Sequence, residues 1–245
     1  MKDDHSLSKF DYAKLEPFAT PKKVVAWRLC MLAQANINIE TIVDAVIKEL
    51  KDQLFILVEA SGRHVHLSRE DLNTLFGQGY QLTPVKDLSQ PGQFACEERV
   101  TITGPKNSLQ NVVVLGPERS KSQVEVSLTD ALVLGMKAPV RLSGDIKDTP
   151  GIKITNPKNG VSIEIKEGLI VAKRHIHMTP EDSKRFHVSN GDSVKVKVFG
   201  DRPMILEGVD IRVDKNFSTA MHIDYDEANA CGYTKDTKGM IIVDE

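Results

Sequence analysis

The chain has 245 residues, with 32 Lys and Arg against 34 Asp and Glu, a formal net charge of −2. That balance gives no footprint for nucleic acid or an anionic membrane surface, and 5% aromatic residues are too few to suggest stacking platforms for bases. With 40% apolar and 27% charged residues the chain reads as globular, long enough for one large domain or two small ones.

Residues 1–38 read as an extension. Its first residues, Met1 to His5, are polar, and no apolar run of the secretory type follows them. Thr20-Pro21 is a helix start, with Thr as the cap and Pro at the first helical position. Val24, Val25, Leu29 and Leu32 then give a short apolar stripe reaching about residue 35. A cleaner amphipathic helix follows. Ile39, Ile42, Val43, Val46, Ile47 and Leu50 share one face, opposite Glu40, Asp44, Lys48 and Lys51. Such a helix either packs on the main body or docks on a partner surface. Nothing approaches the ~18 apolar residues of a membrane span.

From Leu54 the pattern changes to short β-branched runs punctuated by Gly, Pro, Asn and Asp. Strands are predicted at Phe55–Val58, Arg99–Ile102, Val112–Leu115, Gln123–Val126, Val161–Ile165, Leu169–Ala172, Ser193–Phe199 and Met240–Val243. Brief helices are predicted at Ser68–Phe76 and Pro180–Phe186. The fold class is therefore mainly β, with barrels or sandwiches favoured over a parallel α/β sheet.

An internal repeat organises this region. Arg63-His64-Val65-His66-Leu67-Ser68-Arg69-Glu70-Asp71 recurs 111 residues later as Arg174-His175-Ile176-His177-Met178-Thr179-Pro180-Glu181-Asp182. That period is too long for a solenoid and points to two similar half-structures facing each other. Side chains at i and i+2 of a strand share a face, so each His-x-His aims two imidazoles at one site. Val65, Leu67, Ile176 and Met178 alternate with them as the core face. Four of seven histidines lie in these pairs, a duplication that points to metal, with zinc a common partner of neutral imidazole.

Catalytic metal sites need a third protein ligand each. His222 lies in the alternating Ala220-Met221-His222-Ile223-Asp224, with Asp224 expected to orient it. Glu125 lies between Val124 and Val126, where an acid is either solvated or aimed at a cation. Arg119 follows a Gly-Pro turn that could expose it; by itself it reads as a surface cation. The cysteines Cys30, Cys96 and Cys231 are odd in number and far apart, which argues for a reducing compartment over a disulfide framework.

At this point the motifs resemble a family, the PduL-type phosphotransacylases or phosphate propanoyltransferases. The resemblance is carried by Ser61–Ser68, Leu82–Ala95, Leu115–Arg119, Gln123–Ala131, Arg174–Met178, Met221–Asp224 and Asp226–Ala230, and covers about residues 39 to 243. It implies two β-barrel domains with short capping helices, beside the helical N-terminal extension of residues 1–52. One barrel would comprise residues 53–62 plus 173–245. The other would span 63–172 with a small inserted hairpin near 77–97, and the metal site would lie between them. It implies acyl transfer between coenzyme A and inorganic phosphate at two divalent metal ions, zinc being the expected metal. His64, His66, Glu125, His175, His177 and His222 would be the metal ligands, Arg119 the catalytic and phosphate-binding residue, and Ser61, Lys86, Leu115, His222 and Asn229 the coenzyme A neighbours. Two departures stand out: Gly62 where Asn is usual, and Val113 where an Arg that contacts coenzyme A is frequent. The resemblance also implies a homodimer in a bacterial cytoplasm or a microcompartment within it, with shell or core proteins as partners of residues 1–38. Two rivals remain at this stage: a metal-dependent thioester hydrolase, and an interaction protein with a structural metal.

Overall fold

The structure is a computed structural model that describes residues 39–242. The predicted helix from Pro21 to about residue 35 lies outside the described residues. The chain divides between Lys51 and Asp52 into two compact units. Helix α1, Ile39–Leu54, carries Glu40 in its first turn, where an acid complements the helix dipole. Its apolar stripe is exposed, from Ile39 at 75% to Ile47 at 43%.

The second unit begins with β1 (Ile56–Ser61), β2 (His64–His66), α2 (Arg69–Phe76), β3 (Pro84–Asp87), β4 (Phe94–Thr103), β5 (Ser108–Gly116), β6 (Gln123–Val126) and α3 (Leu128–Leu134). It continues with β7 (Val140–Arg141), β8 (Ile152–Thr155), β9 (Ser162–Ile165), β10 (Leu169–Ala172) and β11 (His175–Met178). The last elements are α4 (Pro180–Arg185), β12 (Ser193–Phe199), β13 (Met204–Val213), β14 (Ala220–Asp224), α5 (Tyr225–Cys231) and β15 (Lys238–Ile242). The mainly β class expected from the sequence is what forms.

Six strands close a barrel in the order β1-β14-β11-β13-β12-β15. The other nine form a curled sheet, β7-β10-β6-β2-β5-β4-β8-β9, with β3 paired on β4; the end strands β7 and β9 do not pair with each other, so this sheet stays open. Each sheet has its own core. Val58, Ile176, Met178, Val196, Ile211 and Met221 fill the barrel, and Val65, Leu67, Leu72, Val100, Val124 and Ile154 fill the curled sheet. Val65 and Ile176 point inward, so the histidines on either side of each point to the opposite face.

The repeat is a structural one. β2 lies between parallel β5 and antiparallel β6, and β11 lies between parallel β13 and antiparallel β14. Ser68 and Thr179 cap α2 and α4 by accepting from the amides of Asp71 and Asp182. Both α3 and α5 begin with a reciprocal capping box, Ser127 with Asp130 and Asp224 with Glu227. The arginine before each histidine pair binds the acid at the third helical position of the matching box: Arg63 Nη2 lies 2.8 Å from Asp130, and Arg174 Nη1 lies 2.6 Å from Glu227. These pairs fix the direction in which each chain enters its His-x-His strand.

Candidate metal centre

Strand register assembles the two triads. His64 pairs with Glu125 across β2 and β6, and His175 pairs with His222 across β11 and β14. Glu125 and His222 are therefore counterparts, each standing opposite the first histidine of its pair. In one triad, Glu125 Oε2 lies 3.5 Å from His64 Nε2 and its Oε1 3.9 Å from His66 Nε2. In the other, ring centroids are 4.6 Å apart for His175 and His177, 5.2 Å for His175 and His222, and 4.9 Å for His177 and His222. Within each triad the potential ligand atoms lie within 4.8 Å of one another.

The ring orientations are fixed in the same way in both halves. His64 Nδ1 donates to Gly62 O at 2.8 Å, and His175 Nδ1 donates to Lys173 O at 2.8 Å. Each bond leaves Nε2 as the nitrogen with a lone pair. Gly62 thus serves through its carbonyl; a Cβ there would come within 3.0 Å of the Tyr225 ring. His66 Nδ1 and His177 Nδ1 are buried without a hydrogen-bond partner. An orphaned buried nitrogen costs about 1–3 kcal/mol, and a cation bound by its ring would give that ring a partner.

Electrostatics separate the carboxylate from the imidazoles. Burial opposes ionisation of Glu125, but His64 and His66 outweigh it and hold the carboxyl far below its usual range. Burial, then the neighbouring His175 and His222, push His177 down to about 2. Burial and His175 push His222 down to about 3. Burial lowers His66 and His175 as well. His64 is raised, because Glu125 more than offsets the burial that lowers it. One triad offers two imidazoles and a carboxylate, the other three imidazoles. With the imidazoles mostly neutral and the carboxylate ionised, these donor sets fit two divalent ions, each with three protein ligands and an open position.

Around Glu125 a hydrogen-bonded group joins the triad to Arg119. Ser143 Oγ donates to Glu125 Oε1 at 2.7 Å and accepts from Arg119 Nη1 at 2.9 Å. Gln123 Nε2 donates to Glu125 Oε1 at 2.5 Å and to Ser143 at 3.0 Å. The Arg119 amide is tied to Leu67 O at 3.0 Å. Arg119 is therefore half-buried against this group, only partly displayed by its Gly-Pro turn.

His222 is held from two other elements. Its Nδ1 lies 3.5 Å from Glu59 Oε2 on β1, where Glu59 and His222 are register partners. Gln90, buried in the turn between β3 and β4, places Nε2 3.3 Å from His222 Nε2 and donates to Ser218 O at 2.9 Å. Asp224, expected to orient His222, instead caps α5: as the last residue of β14 and the N-cap of the helix, it accepts from the Glu227 amide at 2.8 Å.

The residues assigned to coenzyme A fall in two groups. Ser61 pairs with Asp224 beside His222, and Asn229 is exposed on α5, which follows β14 directly. Lys86 pairs with Ala95, which pairs with Leu115, so Lys86 and Leu115 flank β4. Lys86 is exposed. Ser89, at the tip of the same hairpin, donates to Glu59 Oε2 at 2.5 Å and links the two groups. Sequence reasoning missed Gln90, Glu59, Gln123, Ser143 and Arg212. Gln123 shares a strand face with Glu125 two residues on, a local signal that could have found it; the other four reach the triads only through contacts between segments distant in sequence.

Comparison with known proteins matches residues 57–234 to the phosphate propanoyltransferase family model. Similar curated proteins named phosphate propanoyltransferase include one from Clostridioides difficile, 60% identical over 82% of this chain and 95% of its own. One from Enterococcus faecalis is 57% identical over 84% of this chain and 97% of its own. One from Thermotoga maritima is 56% identical over 74% and 86%. The match spans both histidine pairs, Glu125, Arg119 and His222, and the chain belongs to the phosphate propanoyltransferase family and is a phosphotransacylase.

Proposed function

We propose that this chain interconverts a short-chain acyl-coenzyme A, propanoyl-coenzyme A among them, and inorganic phosphate with acyl phosphate and coenzyme A. The observation that carries the reading is the pair of triads, one from each half of a repeat and buried but for the half-buried His222, with Arg119 joined to one of them through Ser143. A phosphate oxygen attacks the thioester carbonyl; the C–O bond forms, the C–S bond breaks, and the thiolate leaves as coenzyme A. Two divalent ions, zinc the first choice, would supply Lewis acidity toward phosphate and the carbonyl when bound by the triads. Arg119 offers planar donors to phosphate. Burial and then Arg212 act against its charge while Glu125 favours it, so an incoming anion relieves an unfavourable pairing. Ser61, His222 and Asn229 on one side and Lys86 and Leu115 on the other would line the coenzyme A track.

An acyl-cysteine intermediate finds no support among the described residues. Cys231 is fully buried, its Sγ 3.4 Å from Ala228 O, and burial raises its thiol. Cys96 is also buried and its thiol is pushed up to about 11. Burial keeps both thiols protonated and out of reach of substrate. Initial-rate patterns are therefore expected to be sequential, and Cys231→Ser to retain most activity. The decisive assay follows free coenzyme A and acyl phosphate together. Release that needs phosphate and yields acyl phosphate one for one supports the transferase; release without phosphate would establish the hydrolase instead.

Residues 1–38 hold none of the proposed ligands, and the stripe of α1 is exposed. We assign this region to association, in a homodimer or with microcompartment shell or core proteins of a bacterial cytoplasm. Deleting residues 1–38 should leave turnover per metal-loaded chain nearly unchanged while altering self-association or co-assembly. A truncated chain that folds and binds metal but is inactive would place the extension over the active site.

A further inference from the structure

Arg212 has no role in the sequence reading, yet it faces the same site from the other half of the repeat. It lies on β13 as the register partner of His177. Its neighbours Val209 and Ile211 are buried in the barrel core, so Arg212 shares the opposite face with the histidines. In the first half, β5 runs beside β2 in the same way, with His64 beside Val113 and Val65 beside Val114. Leu115, one residue further, is thus the counterpart of Arg212. The first half brings its cation from the segment after β5, as Arg119; the second brings its cation from the strand itself.

The surroundings of Arg212 are those of an anion ligand. Among the described residues, its guanidinium makes no hydrogen bond or ion pair. Its one close partner is Phe217, whose ring centroid lies 5.9 Å away and whose ring also packs on His177 at 4.2 Å. A guanidinium facing an aromatic ring keeps its edge donors available. Burial works against its charge and Glu125 favours it, as for Arg119. Two half-buried cations thus face one carboxylate, and that carboxylate is engaged by two imidazoles, Gln123 and Ser143. A dianion placed between the triads would answer both.

We propose that Arg212 is a second binding residue for the phosphoryl group of inorganic phosphate and of acyl phosphate, acting with Arg119. The proposal rests on the phosphotransacylase reading for its substrate, and its test includes binding as well as turnover. The full-length, metal-loaded protein and its Arg212→Gln and Arg212→Lys variants are titrated calorimetrically with inorganic phosphate in the absence of acyl-coenzyme A. Steady-state constants and metal content are measured on the same preparations. Arg212→Gln should weaken phosphate binding roughly 10-fold or more, the size expected for lost hydrogen bonds to a charged group. The KM for phosphate should rise in proportion, with the KM for acyl-coenzyme A within about twofold of the parent. Arg212→Lys should fall between, because an ammonium keeps the charge but loses the fork. Should Arg212→Gln fail to fold, the lysine variant carries the same comparison. Unchanged phosphate affinity per metal-loaded chain would overturn the proposal, as would an effect confined to acyl-coenzyme A. Metal loss in both variants with phosphate affinity intact would make Arg212 a support of the histidines and overturn it too. A parent protein that binds phosphate yet forms no acyl phosphate would sink the phosphotransacylase reading instead, leaving the assignment of Arg212 to be decided by the binding data.

Discussion

Replacing His66 or His177 by alanine is expected to remove bound metal and lower turnover by about 100-fold or more, since even the outer partners of metal ligands are worth 10- to 100-fold. Each substitution takes one donor from a three-residue set, leaving two. The fold should survive better than the activity. Each histidine sits on the face away from a core built around Val65 or Ile176, both fully buried. Each substitution also removes a buried, unpartnered Nδ1, which partly offsets the packing lost. Elemental analysis beside thermal unfolding separates the two effects. A variant that kept full metal content and full turnover would show that the histidine pairs serve another purpose.

Arg119→Ala should raise the phosphate requirement by roughly 10- to 100-fold, the range for hydrogen bonds to a charged group, and change the acyl-coenzyme A requirement far less. The loss will not be confined to phosphate contact. Ser143 would lose the donor at 2.9 Å while still donating to Glu125, so some decline in turnover at saturating phosphate is expected as well. Lysine at this position should rescue only in part, because its single ammonium cannot serve Ser143 and a bidentate anion together. Initial rates over a grid of both substrates measure this; an unchanged phosphate dependence would remove Arg119 from the site.

Much of this arrangement was legible in the sequence because it rests on local rules. Gln123–Val126, Leu169–Ala172 and Ser193–Phe199 form strands at the predicted bounds, each dense in β-branched or aliphatic residues and bounded by polar or turn residues. Ser68 and Thr179 cap helices as their residue types dictate. The histidine pairs were visible because a period of two is a strand property and duplication made chance alignment implausible.

What the sequence hid depends on pairing between distant segments. Val209-Asp210-Ile211-Arg212-Val213 alternates like any half-solvated strand, and only its register with β11 turns Arg212 toward His177. Gln90 meets His222 across 132 residues. Glu59 displaced Asp224 as the carboxylate beside His222 because β1 returns to pair in parallel with β14, a connection no local pattern reveals. The two-residue strand β7 is too short to carry a period at all. The closure of one sheet and the openness of the other are likewise set by which strands meet, not by what each strand contains.

The central claim is that each half of the repeat holds one divalent ion and that both ions serve one pocket. Anomalous scattering at the metal edge, from crystals of the full-length chain, tests it most directly. Two peaks per chain are predicted, one bounded by His64, His66 and Glu125 and the other by His175, His177 and His222. A single peak per chain, or metal bound away from both triads, would contradict the account.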